Sequence, residues 1–332
     1  MMRTLIAEFP KQLRQAADSL SGQALPDAVP PHRQILVLGM GGSGIGGRFM
    51  SGLLADAASV PVLSSHDYRI PQWVGPDTMV IACSYSGNTE ETLAALEAAQ
   101  GQGAQVRALT SGGTLGSLAQ ANGWPVLTVP GGHPPRSQFG WAVTGLLRHF
   151  EALGHFAGGA EDAMSDIRSS ADLLENESGR IQAQAASWVD LLASRQPMLY
   201  GDAAIEPILI RWRQQLNENA KRLCNHHVFP EMNHNELVGW ESGDASVATL
   251  FLHTEEDHPR TAERMRLCKE IFAKTGASVE ETTALGKTRL QCWMYLVHLG
   301  DWLSLLMAEE SGTDPVDIRH IDYLKNALAQ LG

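Results

Sequence analysis

The sequence predicts an α/β protein made of two α/β/α sandwich domains with mostly parallel sheets. Three observations carry this. Between residues 34 and 150 short apolar runs alternate with helix-length segments, and the alternation resumes between 197 and 281. The length, 332 residues, is enough to bury two cores.

In the first stretch Gln34–Gly39, Val60–Leu63, Met79–Cys83, Gln105–Leu109 and Pro125–Val129 read as strands. Each contains an apolar run, as expected of a sheet covered by helices on both faces. Glu90–Gln102 reads as a helix with Leu93, Ala94 and Leu96 toward the core. The N-terminal stretch MMRTLIAEFPKQLRQAADSL reads as one amphipathic helix. It carries acidic residues and lacks an apolar signal core and cleavage site, so a cytoplasmic protein is expected. Residues 160–195 predict a single long, polar-rich helical connector. After it come strand Pro197–Tyr200, helix Ile205–Leu223, strand Ser246–His253, helix Arg260–Thr275 and strand Ala277–Glu281. In the helix from 205, Ile205, Ile208, Leu209, Trp212 and Leu216 fall on one face. Helices near 287–310 and 315–331 close the chain. The expected domains are 1–155 and 156–332.

Composition narrows the function. Hydrophobic residues make up 44% and charged residues 19%, ordinary for a globular protein, and no apolar run is long enough to span a membrane. A net charge of −12 argues against a nucleic-acid partner, which requires a basic stripe. Cys83, Cys224, Cys268 and Cys292 form no CxxC pair and read as reduced thiols. The pairs His226-His227 and His253/His258 lack an HExxH spacing or an acidic partner at fixed offset, so no metal is expected.

Two loops carry chemistry. Gly39-Met40-Gly41-Gly42-Ser43-Gly44-Ile45-Gly46-Gly47 follows a strand and opens a helix, where glycines let backbone N–H groups reach an anion. It also satisfies G-x-G-x-x-G, but a nicotinamide site needs an acidic residue ending the next strand. Here that strand runs into Ser64-Ser65-His66, with Asp67 late. The second loop, Ser84-Tyr85-Ser86-Gly87-Asn88-Thr89-Glu90-Glu91-Thr92, brings the hydroxyls of Ser84, Ser86 and Thr89 to another helix start. Some of these groups are needed for capping, yet the hydroxyl density exceeds that need and favours phosphate binding. Gly41, Gly42, Ser43, Ser84, Ser86 and Thr89 are therefore the candidate phosphate-binding residues.

These loops, Gly-Gly-Ser-Gly and Ser-x-Ser-Gly-x-Thr, resemble those of sugar isomerase (SIS) domains. Pro135-Arg136-Ser137-Gln138-Phe139-Gly140, Gln215-Leu216-Asn217-Glu218-Asn219-Ala220-Lys221 and Asn233-His234-Asn235-Glu236 extend the resemblance to the bifunctional phosphoglucose/phosphomannose isomerase family. The motifs follow in order over nearly the whole chain, to Lys325 in the last helix. The resemblance implies a double SIS fold and interconversion of glucose 6-phosphate and fructose 6-phosphate, and with it mannose 6-phosphate. It implies no cofactor, and a homodimer in which the neighbouring subunit supplies a histidine.

Aldose–ketose isomerisation needs a phosphate anchor, ring opening, a base shuttling a proton between C1 and C2, and charge stabilisation of the enediolate. By resemblance Glu236 is the base, Glu218 holds a secondary position, and Glu231 is the weaker alternative. Arg136, placed by two prolines at a helix start, faces the developing oxyanion. Ring opening falls to a histidine, His258 or alternatively His253, together with Lys325. Where the family commonly has a threonine after Asp-Pro, this chain reads Asp314-Pro315-Val316, with Thr313 nearby but shifted, which puts mannose 6-phosphate use in question. Two readings from other classes compete: a sugar-phosphate sensor without turnover, and a nucleotide-dependent oxidoreductase.

Overall fold

The computed structural model describes residues 1–26, 31–156 and 160–330. They form two compact units. The N-terminal unit comprises Ala7–Glu177 and Leu285–Tyr295; the C-terminal unit comprises Met1–Ile6, Ser178–Ala284 and Leu296–Gly332. The units part at 177/178, and each takes a short segment from the other half of the chain.

The N-terminal helical stretch is two helices, α1 (Met2–Ala7) and α2 (Phe9–Ser21). Pro10, in the first turn of α2, has no N–H to give the preceding turn, which ends α1 there. All of α1 but its last residue belongs to the C-terminal unit, and the N-terminal unit runs from α2 through β1 (Gln34–Leu38), α3 (Gly41–Leu53), β2 (Val62–Ser65), β3 (Thr78–Ser84), α4 (Glu90–Gly101), β4 (Gln105–Thr110), α5 (Gly113–Asn122), β5 (Val126–Thr128), α6 (Phe139–Ala152) and α7 (Ala160–Asn176). Its five strands are parallel, in the order β2-β1-β3-β4-β5. β3 is buried at every position, and Leu36, Leu38, Val80, Ala82, Leu96 and Leu115 pack on one side of the sheet. The strand order reverses between β1 and β3. That is the crevice where α/β sheets bind ligands, and both glycine-bearing loops leave the sheet there.

The C-terminal unit contains α8 (Ser178–Ala193), β6 (Gln196–Asp202), α9 (Glu206–Glu218), β7 (Asn225–Phe229), α10 (Glu236–Gly239), β8 (Val247–His253), α11 (Pro259–Lys274) and β9 (Ser278–Thr283). It also holds most of α12 (Arg289–Glu310), and α13 (Arg319–Leu328). Its four strands are parallel, in the order β7-β6-β8-β9. The order here reverses between β6 and β8. Tyr200, Phe229, Trp240, Phe251, Met265 and Phe272 form a core on one sheet face.

Further sequence expectations change. The 160–195 connector is two helices, interrupted at Glu177. The 205–223 helix ends at Glu218, leaving 219–224 as a turn. β7 went unpredicted because it is an edge strand whose first residues, Asn225, His226 and His227, are polar. The final helix starts at Arg319, because Asp314 and Asp317 cap turns through Val316 N–H (2.8 Å) and Arg319 N–H (2.9 Å). Residue 331, the expected end of that helix, lies outside the described residues. No helix among the described residues is long and apolar enough to cross a membrane.

Candidate active site

The candidate phosphate cradle is a backbone construction. Gly41 begins α3 at φ +51, and neither α3 nor α4 has a side-chain cap on its N-terminal N–H groups. Two uncapped helix starts therefore flank the crevice, each carrying partial positive charge. Side chains couple the loops: Tyr85 N–H donates to Ser43 Oγ (3.1 Å), and Ser84 Oγ lies 2.8 Å from Thr89 Oγ1. Ser84 is fully buried, whereas Ser86 is exposed and accepts from Asn88 N–H (3.2 Å). Gly87, at φ +72, has no room for a side chain, because a Cβ would fall 1.8 Å from Gly112 O. Asn88 Oδ1 completes the lock by accepting from Thr114 N–H and Oγ1–H, both at 2.9 Å.

Arg136 belongs to the same construction. It lies in the 3₁₀ turn Pro135–Gln138 that leads into α6 and is 4% exposed. A Cβ at Gly42 would meet Pro135 O at 2.9 Å and Arg136 N at 3.1 Å, so the glycine lets that turn lie directly on the cradle. Behind the other side of the glycine loop, His66 Nδ1–H donates to Gly39 O (2.8 Å), and burial lowers its pKa. An imidazole bracing the loop thus stands just after β2, where a nicotinamide site places a carboxylate, which counts against the oxidoreductase reading.

In the C-terminal unit the predicted residues are held in different ways. Both oxygens of Glu236 are engaged: Oε1 accepts from Tyr200 OH and Oε2 from His227 Nδ1–H (2.7 Å). Tyr200 is buried among Phe229, Trp240, Phe251 and Phe272, and its pKa is pushed up by that burial and by the Glu236 charge. His258 is exposed at the N-cap of α11, and its Nδ1 accepts from Arg260 N–H (3.2 Å). A backbone N–H only donates, so the neutral ring carries its proton on Nε2. His258 N–H reaches Asp202 Oδ2 (3.3 Å), which joins the ends of β6 and β8 at the switch point. His253 is flanked by Asp257 and Glu281, each at 3.2 Å. His234 and Lys325 are exposed, the latter on α13, a helix with no buried residue.

A cavity of about 640 Å³ in this unit contains none of Glu236, His258 and Lys325. Its walls include Asn217, Glu218, Lys221, Thr313, Asp314 and Arg319. Lys221 is the only residue other than glycine with positive φ (+53) among the described residues. Its Nζ donates to Glu218 O (2.7 Å) and Asp314 O (2.9 Å), tying the turn after α9 to the segment before α13. Backbone held in a sparsely populated conformation concentrates at functional sites. The Gln215–Lys221 string singled this segment out in the sequence. The resemblance gives its carboxylate, Glu218, a secondary position, and nothing in the sequence shows that α9 stops there. Among the described residues no group of three or more His, Cys, Asp or Glu side chains is arranged to hold a metal ion.

Comparison with known proteins places this geometry. The SIS-domain family model matches residues 31–122, and that of the bacterial phospho-glucose isomerase C-terminal SIS domain matches 181–328. The bifunctional phosphoglucose/phosphomannose isomerase of Caldicellulosiruptor bescii is 34% identical over 98% of both chains. That of Aquifex aeolicus is 33% identical over 90% of this chain and 91% of its own. Among solved structures, the C-terminal domain of glucosamine-fructose-6-phosphate aminotransferase from Francisella tularensis superposes with a TM-score of 0.76. It is 13% identical, covering 94% of this chain and 97% of its own, and so speaks for the fold alone. With full-length relatives at this identity, and with the cradle and both SIS-type sheets in place, the chain belongs to the bifunctional phosphoglucose/phosphomannose isomerase family.

Proposed function

We propose that the protein interconverts glucose 6-phosphate, fructose 6-phosphate and mannose 6-phosphate through an enediolate, with proton transfer by Glu218. The phosphate is held by the N–H groups and hydroxyls at Gly41, Gly42, Ser43, Ser84, Ser86 and Thr89. Arg136 stabilises the enediolate oxygen. The base removes the C2 proton of the open-chain aldose and returns a proton to C1. Meanwhile a proton passes from the C2 hydroxyl to the C1 carbonyl oxygen, so no electron acceptor is needed.

The observation that carries the assignment is the cavity beside Glu218. At about 640 Å³ it falls within the range of small-molecule sites. Glu236 remains the second reading: its carboxylate is oriented by Tyr200 and His227, but both oxygens already accept hydrogen bonds. Ring opening is assigned to His258, whose Nε2–H is free of the capping bond and suits donation to the ring oxygen, with Lys325 assisting. His234, exposed within the Asn233–Glu236 string, is the histidine to test beside it. Mannose 6-phosphate is included because Thr313 lines the cavity, whereas Val316 does not. A homodimer is part of this reading. Leu223, Val238, Tyr323 and Leu324 are 57–80% exposed, apolar surface of the kind a second copy covers.

A coupled assay on the purified protein tests the proposal, with fructose 6-phosphate and mannose 6-phosphate as substrates, with and without chelator. Glucose 6-phosphate should form from both, undiminished by chelation. Phosphate-dependent binding without turnover would instead support the sensor, and loss of activity in chelator would overturn the metal-free mechanism.

A further inference from the structure

A buried polar ladder runs along one face of α9. Arg211, Gln215 and Asn219 recur at intervals of four, so their side chains stack on one side of the helix. All three are at most 3% exposed, and all three bond to α12. Arg211 Nη2–H donates to both carboxylate oxygens of Asp301 (2.9 and 2.8 Å), and Gln215 Nε2–H donates to Asp301 Oδ1 (2.7 Å). Asn219 Nδ2–H donates to Ser304 Oγ (3.0 Å), whose own O–H donates to Asp301 O (2.8 Å). The helices approach closely beside the ladder: a Cβ at Gly300 would lie 2.5 Å from Trp212 Nε1. Trp212 Nε1–H donates in turn to Leu296 O (2.8 Å).

An apolar seam would hold two helices together at lower desolvation cost than a buried ion pair. What a ladder adds is register: each rung is satisfied at one axial position only. The last rung is Asn219, and the residue before it is Glu218. Directly after it come Ala220 and the strained Lys221, where the chain turns along the cavity wall.

We propose that Asp301 is a positioning residue: through Arg211, Gln215 and the Ser304–Asn219 bond it fixes the last turn of α9 and hence the placement of the Glu218 carboxylate. This rests on the reading of Glu218 as the base. A misplacement of about 1 Å is enough to cost on the order of 100-fold in rate.

The test compares Asp301→Asn, Ser304→Ala and Glu218→Gln in the full-length protein, with kcat normalised to the fraction that binds fructose 6-phosphate. Glu218→Gln reports on the underlying reading: retained turnover in that variant removes the base, and the proposal with it. With turnover lost there, Asp301→Asn should lower kcat by about 10- to 100-fold, leave KM within about 3-fold, and move the acid limb of the kcat–pH profile. Ser304→Ala should do the same to a smaller degree, about 3-fold, and it decides the matter if Asp301→Asn does not fold. Variants that lose only melting temperature, with normalised kcat and acid limb unchanged, would show that the ladder merely holds the helices together.

Discussion

The two units offer opposite kinds of candidate groups for handling an anionic sugar. The N-terminal unit makes its cradle from backbone and hydroxyls, shaped by glycines at the β1–α3 and β3–α4 turns, with Arg136 pressed against it. Among its candidate groups only that guanidinium carries a charge. The C-terminal unit gathers charged and titratable side chains at the end of α9, at α10, at the start of α11 and on α13: Glu218, Lys221, Glu236, His258 and Lys325. A cradle must fit one shape in every catalytic state, whereas proton transfer needs groups that change state. The first task suits locked backbone and the second suits side chains. The difference also predicts how each region fails. Steric changes should break the cradle, and changes of charge should break the C-terminal unit.

The steric half is tested most harshly at Gly87. Gly87→Ala places a methyl 1.8 Å from Gly112 O at φ +72. We expect it to raise KM for fructose 6-phosphate at least about 10-fold and to cost more than about 2 kcal/mol, through strain and displacement of the 112–114 turn. Gly41→Ala has the same sign of φ (+51) but open space around the Cβ. It should cost only about 1–2 kcal/mol of backbone strain, read as a smaller fall in melting temperature with a modest change in KM. Equal effects at the two positions would mean that backbone conformation alone, and not the close approach, shapes the cradle.

A smaller effect sharpens the comparison from the side on which the units are alike. Each fully buries a histidine on a helix, His149 in α6 and His298 in α12, with its pKa pushed down to about 3 by burial and by Arg107 or Arg211 nearby. The folded pKa lies below the unfolded value of about 6.5. The unfolded chain therefore takes up the protons first, and stability falls as pH drops from about 6.5 toward about 3. Each ring contributes up to roughly 1.4 kcal/mol per pH unit in that window. Replacing either ring by Phe should flatten the melting-temperature profile between pH 7 and 4. A slope unchanged in both variants would assign the acid sensitivity to other groups.

How much of this was legible beforehand differs between the units for physical reasons. In the N-terminal unit each strand carries an apolar run and the loops are marked by glycine and serine, so five strands and the two loops between them and their helices were readable within a residue or two. In the C-terminal unit β7 opens with Asn225, His226 and His227, polar because the strand is an edge, and no period betrays it. The end of α9 was equally hidden. Apolar residues continue to Leu223, and only the fold shows that Lys221 takes positive φ and that Leu223 is exposed. Motif resemblance marked the Gln215–Lys221 and Asn233–Glu236 strings, but it did not say that Glu218 lines a cavity or that Glu236 accepts from a tyrosine and a histidine. That distinction depends on the Tyr200–His227 register between β6 and β7, a long-range pairing absent from any local pattern.

Which carboxylate moves the proton decides between the two readings of the C-terminal unit. Incubating the protein with fructose 6-phosphate in D₂O and following loss of the C1 proton signal by NMR measures that step directly. Wild type and Glu236→Gln should both exchange the proton, the variant more slowly, while Glu218→Gln should still bind fructose 6-phosphate and exchange nothing. Exchange at the wild-type rate in Glu218→Gln, with none in Glu236→Gln, would contradict the assignment and return the base to Glu236.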